Sequence, residues 1–400
     1  MKDLSKFRSE FPALKDKVFL DAACVSILPA RAEQAIADFT ALLVNPSAFG
    51  ATEHHIWMDQ QREQARPQLA TMLGTDPDHI ALVESTTHGL NIAAQSVPWS
   101  SGDEILMCDL EFLQVSIPFV KLTDSSGVKP VFVNHKEGIA DVDLFSRAIS
   151  PRTKAIVVSS TQWSNGYRID LSGMAELAGS VGAWFVVDGI QQAGAIPIDL
   201  DGIDFLIAGG HKWLNAPMGC GVLYLSDRVL NELEPASWGY LALDPPDGGW
   251  GNYFTTPDIT PDRSYSFSRT AKCFEIGGTS NYPGAIALGQ SVELLNECGI
   301  ANSAEHIWDL GDQLIEGLRR LDVRLETPFG REHRAGIISF TLGNRDRDRA
   351  CMEFLLHRNI WVAQRYTSNT GGVRISIHYF NNNDDIEQLL NETALFLQEQ

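Results

Sequence analysis

Short apolar runs alternate with longer amphipathic stretches along most of the chain. The runs at residues 80–83, 184–187 and 205–208 are apolar throughout, a pattern typical of buried strands. Stretches such as 29–44 and 58–73 place apolar residues at helical spacing and predict helices, the second ending at Gly74. The stretch 45–55 between them is polar and contains a glycine, so a loop is expected there. The repeated alternation predicts an α/β fold with a mostly parallel, doubly wound sheet.

The last third of the chain has a different pattern, in which helices flank fewer strands. We therefore expect a large domain over residues 17–281 and a small α+β domain built from residues 1–16 and 282–400. Further strands of the large sheet are predicted at residues 103–108, 128–134, 154–159 and 219–225, with helices at 141–149 and 171–181. The small domain is predicted to contain helices at 285–297, 304–321 and 348–357, and strands at 337–341 and 373–378.

Two charged residues closely follow neighbouring predicted strands. Asp188 ends the run 184–187, and Lys212 follows the run 205–208 after a Gly–Gly–His step. Ligands bind at the carboxyl ends of strands in open α/β sheets. A lysine amine condenses with the aldehyde of pyridoxal phosphate (PLP), and a carboxylate beside the ring nitrogen keeps that nitrogen protonated. Judged on these two residues alone, Asp188 as a helix N-cap and Lys212 as a surface lysine are an equally good explanation.

The surrounding letters carry a family resemblance. Asp188–Gly–Ile–Gln191 and Gly–His211–Lys212 resemble motifs of the class V aminotransferase and cysteine desulfurase family, which are fold-type-I PLP-dependent enzymes. The resemblance implies that Asp188 and Gln191 contact N1 and O3′ of the ring. It also implies that Lys212 carries PLP as an aldimine with His211 beside it. The family usually has Ser or Thr two residues before this His, where the chain has Gly209.

A hydroxyl-rich turn links the predicted strand at 80–83 to a helix. Free backbone N–H groups and the positive end of a helix favour an anion at such a place. A plain N-cap is the alternative, since Ser and Thr commonly fill that position. The family has a similar turn here, so the resemblance implies that Thr86 and Thr87 hold the PLP phosphate.

Phe112 stands where the family usually has a histidine stacked on the cofactor ring. A phenyl ring can stack, but it cannot transfer protons. The family also has an asparagine that touches O3′, and aligning the glycines places Trp163 there instead. The resemblance leaves Gln162 or Asn165 as substitutes for that asparagine.

Two C-terminal motifs extend the resemblance. The stretch 272–283 is similar to the turn that reaches the phosphate site of a neighbouring subunit, which implies a homodimer with shared active sites and Thr279 as a phosphate ligand. The stretch 372–381 resembles the family's Arg–x–Ser–x–His strand. A guanidinium binds a carboxylate in bidentate fashion, so we expect Arg374 to orient an amino-acid substrate. A surface arginine is the alternative, and Arg365 is a second basic candidate.

The amino-acid composition limits the kinds of partner that the protein is expected to bind. The chain has 400 residues and a formal net charge of −20, from 31 basic and 51 acidic residues. Such an acidic protein should repel nucleic acid and anionic membranes, and no apolar run is long enough to span a bilayer. Six scattered cysteines and a charged, amphipathic N-terminus favour a reducing cytoplasm. His54 and His55 have no ligand-type partners at metal-site spacing, so no metal site is expected.

The sequence leaves the reaction open among several classes. Transamination by a class V aminotransferase is the first expectation, with a carbon–sulfur lyase or an epimerase of the same family as alternatives. A PLP-fold protein kept for binding alone is disfavoured by the Asp188–Lys212 pair. The resemblance implies that a persulfide-forming cysteine desulfurase has a thiol nucleophile on a mobile loop shortly before the carboxylate-binding arginine. Such an enzyme is not expected here, because residues 352–373 contain no cysteine and Phe112 replaces the acid–base histidine. Cys351 falls in a predicted helix, where a thiol is usually buried and inert.

Overall fold

The computed structural model describes residues 4–46 and 50–399. Its strands are β1 (Val18–Phe19), β2 (Ile80–Val83), β3 (Glu104–Cys108), β4 (Lys129–Val133), β5 (Thr153–Ser159), β6 (Trp184–Asp188), β7 (Phe205–Gly209), β8 (Gly221–Leu225), β9 (Arg324–Leu325), β10 (Ile337–Thr341), β11 (Ile360–Trp361), β12 (Ala363–Thr367) and β13 (Thr370–Ser376). Its α-helices are α1 (Ser5–Arg8), α2 (Ala30–Val44), α3 (Ala51–Glu63), α4 (Ala65–Leu73), α5 (Thr86–Ser96), α6 (Leu113–Ser126), α7 (Val142–Ala148), α8 (Leu171–Ser180), α9 (Asp227–Glu232), α10 (Gly249–Thr255), α11 (Tyr282–Cys298), α12 (Ile300–Arg320), α13 (Arg345–Leu356) and α14 (Asn383–Glu399).

The central sheet contains seven strands within the described residues, in the order β2-β8-β7-β6-β5-β3-β4. The strands from β7 to β4 run parallel, and β8 is antiparallel to both of its neighbours. Every residue of β6 and β7 is buried, which explains why both strands are apolar up to their last residue. The predicted α/β fold with a mostly parallel sheet is therefore confirmed.

The strand order reverses around β3, because β4 lies on one side of it and β5 on the other. Such a reversal opens a crevice at the carboxyl ends of the strands, where α/β proteins bind ligands. The turns after β3, β5 and β6 open toward that crevice. The fold thus places Phe112, Ser159 and Asp188 at one edge of the sheet.

A smaller antiparallel sheet has the order β12-β13-β10-β9. It packs with α12, α13 and α14 around an apolar core of its own. Near the amino terminus, β1 pairs in parallel with β11, and Asp21 forms a β-bridge with Ser376. The N-terminal segment is therefore held against the hairpin formed by β12 and β13. The division into domains at residues 17 and 281 stays a prediction.

Two predicted features around residues 45–73 were wrong in detail. The polar stretch 45–55 was expected to be a loop, but α3 begins at Ala51, so His54 and His55 lie on a helix; residues 47–49 fall outside the described part. The loop was predicted from the polarity of the stretch, but the segment after Gly50 contains no helix breaker and can form a helix. The helix expected at 58–73 is two helices, and the second ends at Gly74 as predicted, with a left-handed φ of 71°.

In the described part of the chain, no helix combines the length and apolar character needed to cross a membrane.

Candidate active site

A cavity of about 380 Å³ lies at the carboxyl edge of the central sheet, beside the β12–β13 hairpin. Besides Arg365, the second basic candidate, it brings together eight residues that the sequence singled out for the cofactor or the substrate. These are Thr86, Thr87, Phe112, Asp188, Gln191, His211, Lys212 and Arg374. The convergence of residues from five separate segments of the chain on one cavity is what a cofactor site requires.

Asp188 and Lys212 form the charged centre of the cavity. Asp188 ends β6, is buried, and accepts a hydrogen bond from Ile190 N at 2.9 Å. Burial raises the pKa of Asp188 to about 6, and the positive charge of Lys212 partly opposes this shift. Burial also lowers the pKa of Lys212 to about 8, against the attraction of Asp188. The Lys212 amine therefore loses its proton closer to neutral pH than an exposed lysine, as a nucleophile for a carbonyl must.

The hydroxyl-rich turn forms the amino-terminal end of α5. Ser85 caps this helix by accepting a hydrogen bond from His88 N at 3.1 Å. The Thr86 hydroxyl accepts a hydrogen bond from Gly209 N at 2.9 Å, and Thr87 is exposed toward the cavity. The turn joins β2 to α5 and places its hydroxyls beside the end of β7. This geometry fits a phosphate group.

Gly209 occupies the position at which the family usually has a hydroxyl-bearing residue. A Cβ atom at Gly209 would lie 3.1 Å from Thr86 Oγ1 and 3.2 Å from His211 Nδ1. Such contacts are closer than ordinary van der Waals packing, so a serine or threonine would displace its neighbours. The chain therefore supplies hydroxyls from the start of α5 and keeps a glycine at this point.

Phe112 and Trp163 form an aromatic wall. Their ring centroids are 5.2 Å apart in an edge-to-face arrangement, and Lys212 Nζ lies 6.0 Å from the centroid of Phe112. Phe112 remains 39% exposed, which leaves part of its ring free to contact a ligand. A flat cofactor ring between Asp188 and Phe112 is consistent with this arrangement.

The structure does not bring the expected substitutes for the O3′ asparagine to the cavity. Gln162 is buried and donates a hydrogen bond from Nε2 to Glu111 Oε1 at 3.0 Å. Asn165 donates from Nδ2 to Gly138 O at 2.7 Å. Both amides are held by the protein itself, and Trp163 lines the cavity in their place.

Gln191 and His211 lie at the other side of the cavity. Gln191 donates to Ala23 O at 3.2 Å and accepts a hydrogen bond from Trp213 Nε1 at 2.9 Å, so its amide orientation is fixed. Burial, followed by repulsion from Lys212, lowers the pKa of His211 below its ordinary value. A neutral imidazole is therefore expected beside Lys212 at neutral pH.

Arg374 is only 1% exposed and is already paired within the protein. It donates from Nη1 to Trp163 O at 2.9 Å and from Nη2 to Asp21 Oδ1 at 3.0 Å. Burial lowers the pKa of Arg374 and raises that of Asp21, since removing both groups from water outweighs their attraction. Arg374 Nε has no hydrogen-bond partner among the described residues.

Arg365 adds a second guanidinium to the cavity. It donates to Gln364 O at 2.8 Å and to Cys24 Sγ at 3.3 Å, and no described carboxylate forms a salt bridge with it. Cys24 also lines the cavity, and the sequence argument had overlooked it. Only the fold reveals this contact, because Cys24 and Arg365 are far apart in the chain.

Thr279, the predicted phosphate ligand, also stays outside the cavity. It is exposed and does not line the cavity of its own chain. The turn that carries it is anchored at Glu275, which is buried between Arg62 and Arg66 and accepts a hydrogen bond from Leu82 N at 2.7 Å. Contact with the phosphate site of a second subunit stays a prediction.

The cavity residues fit PLP. Among the described residues, only Ile190 N donates a hydrogen bond to the Asp188 carboxylate, which leaves an oxygen for a protonated ring nitrogen. The amine of Lys212 forms no salt bridge with a described carboxylate, so it is available to the aldehyde. The turn at Thr86 and Thr87 fits the phosphate, and the aromatic wall fits the flat ring.

Comparison with known proteins decides the family. The sequence model described as Aminotransferase class-V matches residues 18–389.

The chain belongs to the aminotransferase class-V family. It is accordingly a PLP-dependent enzyme. A probable cysteine desulfurase of Methanothermobacter thermautotrophicus is 28% identical over 400 residues, covering 96% of each chain. An apo cysteine desulfurase from Thermococcus onnurineus NA1 superposes with a TM-score of 0.85 at 22% identity, covering 100% of this chain and 99% of that one. The cystine C-S lyase C-DES, solved with its product cysteine persulfide, gives 0.83 at 25% identity, covering 96% of this chain and 99% of that one.

The names of these relatives conflict with the expectation that this class V enzyme is not a persulfide-forming cysteine desulfurase. The structural reasons behind that expectation hold in part. Cys351 is buried in α13, and burial raises the pKa of its thiol to about 12. Residues 352–373 contain no cysteine. The expectation did not consider Cys24, which lines the cavity.

Proposed function

We propose that this class V enzyme breaks the carbon–sulfur bond of a sulfur-containing amino acid. The observation that carries the proposal is the position of Arg365 and Cys24 in the cavity that also holds Lys212 and Arg374. In this proposal Lys212 acts at the amino group of the substrate, Arg374 binds its α-carboxylate, and Arg365 supplies a positive charge beside its sulfur. Relatives named as cysteine desulfurase and cystine C-S lyase support the same chemistry.

Each charged residue has a defined role in this proposal. Bound PLP supplies an electron sink, and the Asp188 carboxylate holds the proton on the ring nitrogen that maintains it. Lys212 removes the Cα proton of the substrate, because its lowered pKa makes it a base near neutral pH. Phe112 has no titratable group, so the proton transfers that a histidine would perform there fall to Lys212.

Arg374 is proposed to bind the substrate carboxylate while remaining paired with Asp21. Its Nε lacks an acceptor among the described residues, and burial in a low-dielectric cavity strengthens a charge-assisted hydrogen bond. Arg365, Arg374 and Lys212 supply three basic groups at the cavity, and among the described residues only Asp21 forms a salt bridge with one of them, Arg374. The surplus positive charge favours an anionic substrate.

Transamination, the first expectation from the sequence, remains a second candidate. The matching family is named for that activity, and Lys212 is placed to move a proton in either reaction. Epimerisation would use the same base. Carbon–sulfur cleavage, transamination and epimerisation give different products, so product analysis distinguishes them.

The test is to incubate the holoenzyme with ¹³C-labelled cysteine, with and without pyruvate, and to identify labelled products and released sulfur. Carbon–sulfur cleavage predicts one of two outcomes without any acceptor: labelled pyruvate with ammonia and free sulfide, or labelled alanine with sulfur at the persulfide level. Turnover that requires added pyruvate and leaves the sulfur on a labelled oxo acid would contradict the proposal and establish transamination. Lys212→Ala serves as the inactive control.

A further inference from the structure

Cys24 lies on a turn that is fixed from two sides. On one side, Ser376 N donates to Leu20 O at 2.8 Å, which docks the segment before the turn against β13. On the other side, Ser26 N donates to His211 O at 2.8 Å, which ties the segment after it to the residue preceding Lys212. Cys24 is half-buried and lines the cavity. Its thiol is therefore held at a defined place between the Lys212 segment and the β12–β13 hairpin.

The other cysteines have a different environment. All five are buried, and none lines the cavity: Cys108, Cys220, Cys273, Cys298 and Cys351. Burial raises the pKa of both Cys220 and Cys351 to about 12, so these two thiols stay protonated. The thiolate is the nucleophilic form of cysteine, and buried structural thiols are inert. Of the six thiols, Cys24 is thus the one placed to react with a bound substrate.

A second and independent observation points to a ligand at this place. Arg374 lines the same cavity, is 1% exposed, and its Nε has no hydrogen-bond partner among the described residues. A carboxylate bound there would be held near Lys212 and Cys24 within about 380 Å³. Arg365 lies against the thiol, with Nη2 3.3 Å from Cys24 Sγ, and can stabilise a negative charge on sulfur.

We propose that Cys24 is the nucleophile that receives the sulfur of a β-thiol amino acid, and that it becomes a persulfide. Cys24 Sγ attacks the substrate sulfur, and a sulfur–sulfur bond forms as the Cβ–S bond breaks. The electron pair of the broken bond stays on the carbon skeleton, which takes up the proton lost from the thiol. Cysteine and the Cys24 thiol thus give alanine and the Cys24 persulfide; sulfur is oxidised, carbon is reduced, and no external oxidant is needed.

The inference rests on the proposed carbon–sulfur cleavage and assigns the destination of the sulfur. A second thiol, small enough to enter the cavity, completes the cycle by attacking the outer sulfur and leaving Cys24 as a thiol. The substitution of the usual loop cysteine by a residue near the amino terminus would reconcile the names of the relatives with the absence of cysteine from residues 352–373.

The experiment treats the holoenzyme with cysteine in the absence of reductant and measures the mass of the intact protein. The expected result is a gain of one sulfur atom, mapped to the peptide that contains Cys24 and removed by a small thiol. Cys24→Ser should gain no sulfur and should lose at least about tenfold in the rate of alanine formation. Cys351→Ala, which removes a thiol outside the cavity, should retain the sulfur gain at Cys24.

Two further measurements distinguish a chemical role of Cys24 from a structural one. Cys24→Ser should keep its PLP content and the absorbance change that cysteine binding causes, because Lys212 and Arg374 are intact. Sulfur mapped to another cysteine, or alanine formation unchanged in Cys24→Ser, would overturn the inference. Pyruvate, ammonia and free sulfide in place of alanine would also overturn it while leaving the proposed carbon–sulfur cleavage standing. If cysteine is consumed only when an oxo-acid acceptor is present, both the inference about Cys24 and the proposed carbon–sulfur cleavage are wrong.

Discussion

The protonation state of the Lys212 amine determines how readily it reacts with the aldehyde of PLP. Burial lowers the pKa of Lys212 to about 8, and the attraction of Asp188 limits the shift. The neutral amine is the form that attacks an aldehyde, so apoenzyme should bind PLP faster as the pH rises and should level off above about 8. Stopped-flow absorbance after mixing apoenzyme with PLP measures this rate.

Asp188→Asn provides the matched control for that titration. Removing the carboxylate removes the attraction that raises the pKa of Lys212, so the midpoint should move to lower pH. A wild-type rate that keeps rising toward the ordinary lysine pKa of 10.5 would contradict the environment described for Lys212.

Arg374 should contribute to substrate recognition through its charge. Arg374→Ala should raise the KM for an amino acid by about 10- to 150-fold, because a hydrogen bond to a charged group contributes about 1.5–3 kcal/mol. An amine that lacks the carboxylate should be affected little. Steady-state kinetics with both kinds of substrate measures the difference, and an equal loss for both would argue against the role.

Asp21→Asn is the companion variant for Arg374. It removes the charge that pairs with Arg374 Nη2 but keeps the size and a hydrogen-bond acceptor of the side chain. It frees the guanidinium for the substrate, so the KM should fall or stay unchanged. A rise in KM similar to that of Arg374→Ala would show that the pair acts only by holding the structure.

Part of the candidate site could be predicted from the sequence. Asp188, His211 and Lys212 could be found because polar residues directly after apolar strands stand out from the pattern, and the fold does bring them together. Cys24 and the Asp21–Arg374 pair could not be found in this way. Their partners lie more than 300 positions away in the chain, and no local pattern reports such a contact.

At the scale of elements, the packing of α5 on β7 positions the turn that is predicted to bind the phosphate. A Cβ atom at Gly89 in α5 would lie 2.5 Å from Ile207 Cγ2 in β7, too close for any real contact. Gly89→Ala should therefore push α5 away from the sheet, destabilise the fold by about 1–3 kcal/mol and weaken PLP binding. Urea unfolding and PLP titration measure the two effects.

Gly179→Ala, in α8, is the control for this substitution. A Cβ atom there would meet nothing within 4 Å, so the helix should gain about 0.5–1 kcal/mol from the better helix former. If both alanine variants behaved alike, the close approach of α5 to β7 would not be what matters.

Element types were easier to predict than element ends. The apolar runs that became β2, β6 and β7 are buried at every position, so the burial pattern and the sequence pattern coincide. The loop expected at residues 45–55 was wrong because polar residues also fill exposed helices, as α3 shows. Polarity reports exposure to solvent and does not by itself distinguish a loop from an exposed helix.

At the scale of the whole molecule, the homodimer with shared active sites stays a prediction that Thr279 can test. Thr279 is exposed and does not line its own cavity. If it binds the phosphate in a second subunit, Thr279→Ala should weaken PLP binding by about 10- to 150-fold, as expected for a lost hydrogen bond to a charged group. Sedimentation should also show a dimer.

Mixing variants makes this prediction sharper. A heterodimer of Thr279→Ala and Lys212→Ala subunits contains one site with the native lysine and the native threonine, and one site with neither. At a PLP concentration too low to fill the Thr279→Ala homodimer, refolding or exchanging the two variants together should therefore restore activity that neither has alone. No gain on mixing, or a monomer in solution, would contradict shared sites. The cytoplasmic location expected from the cysteine pattern stays a prediction as well.

The most direct test of the account is to find the lysine that binds PLP. The holoenzyme is reduced with borohydride, digested, and its peptides are mapped for a pyridoxyl group. The account predicts the label on Lys212, in the cavity that also contains Asp188 at the carboxyl edge of the sheet. A label on any other lysine would contradict the assignment of this cavity as the active site.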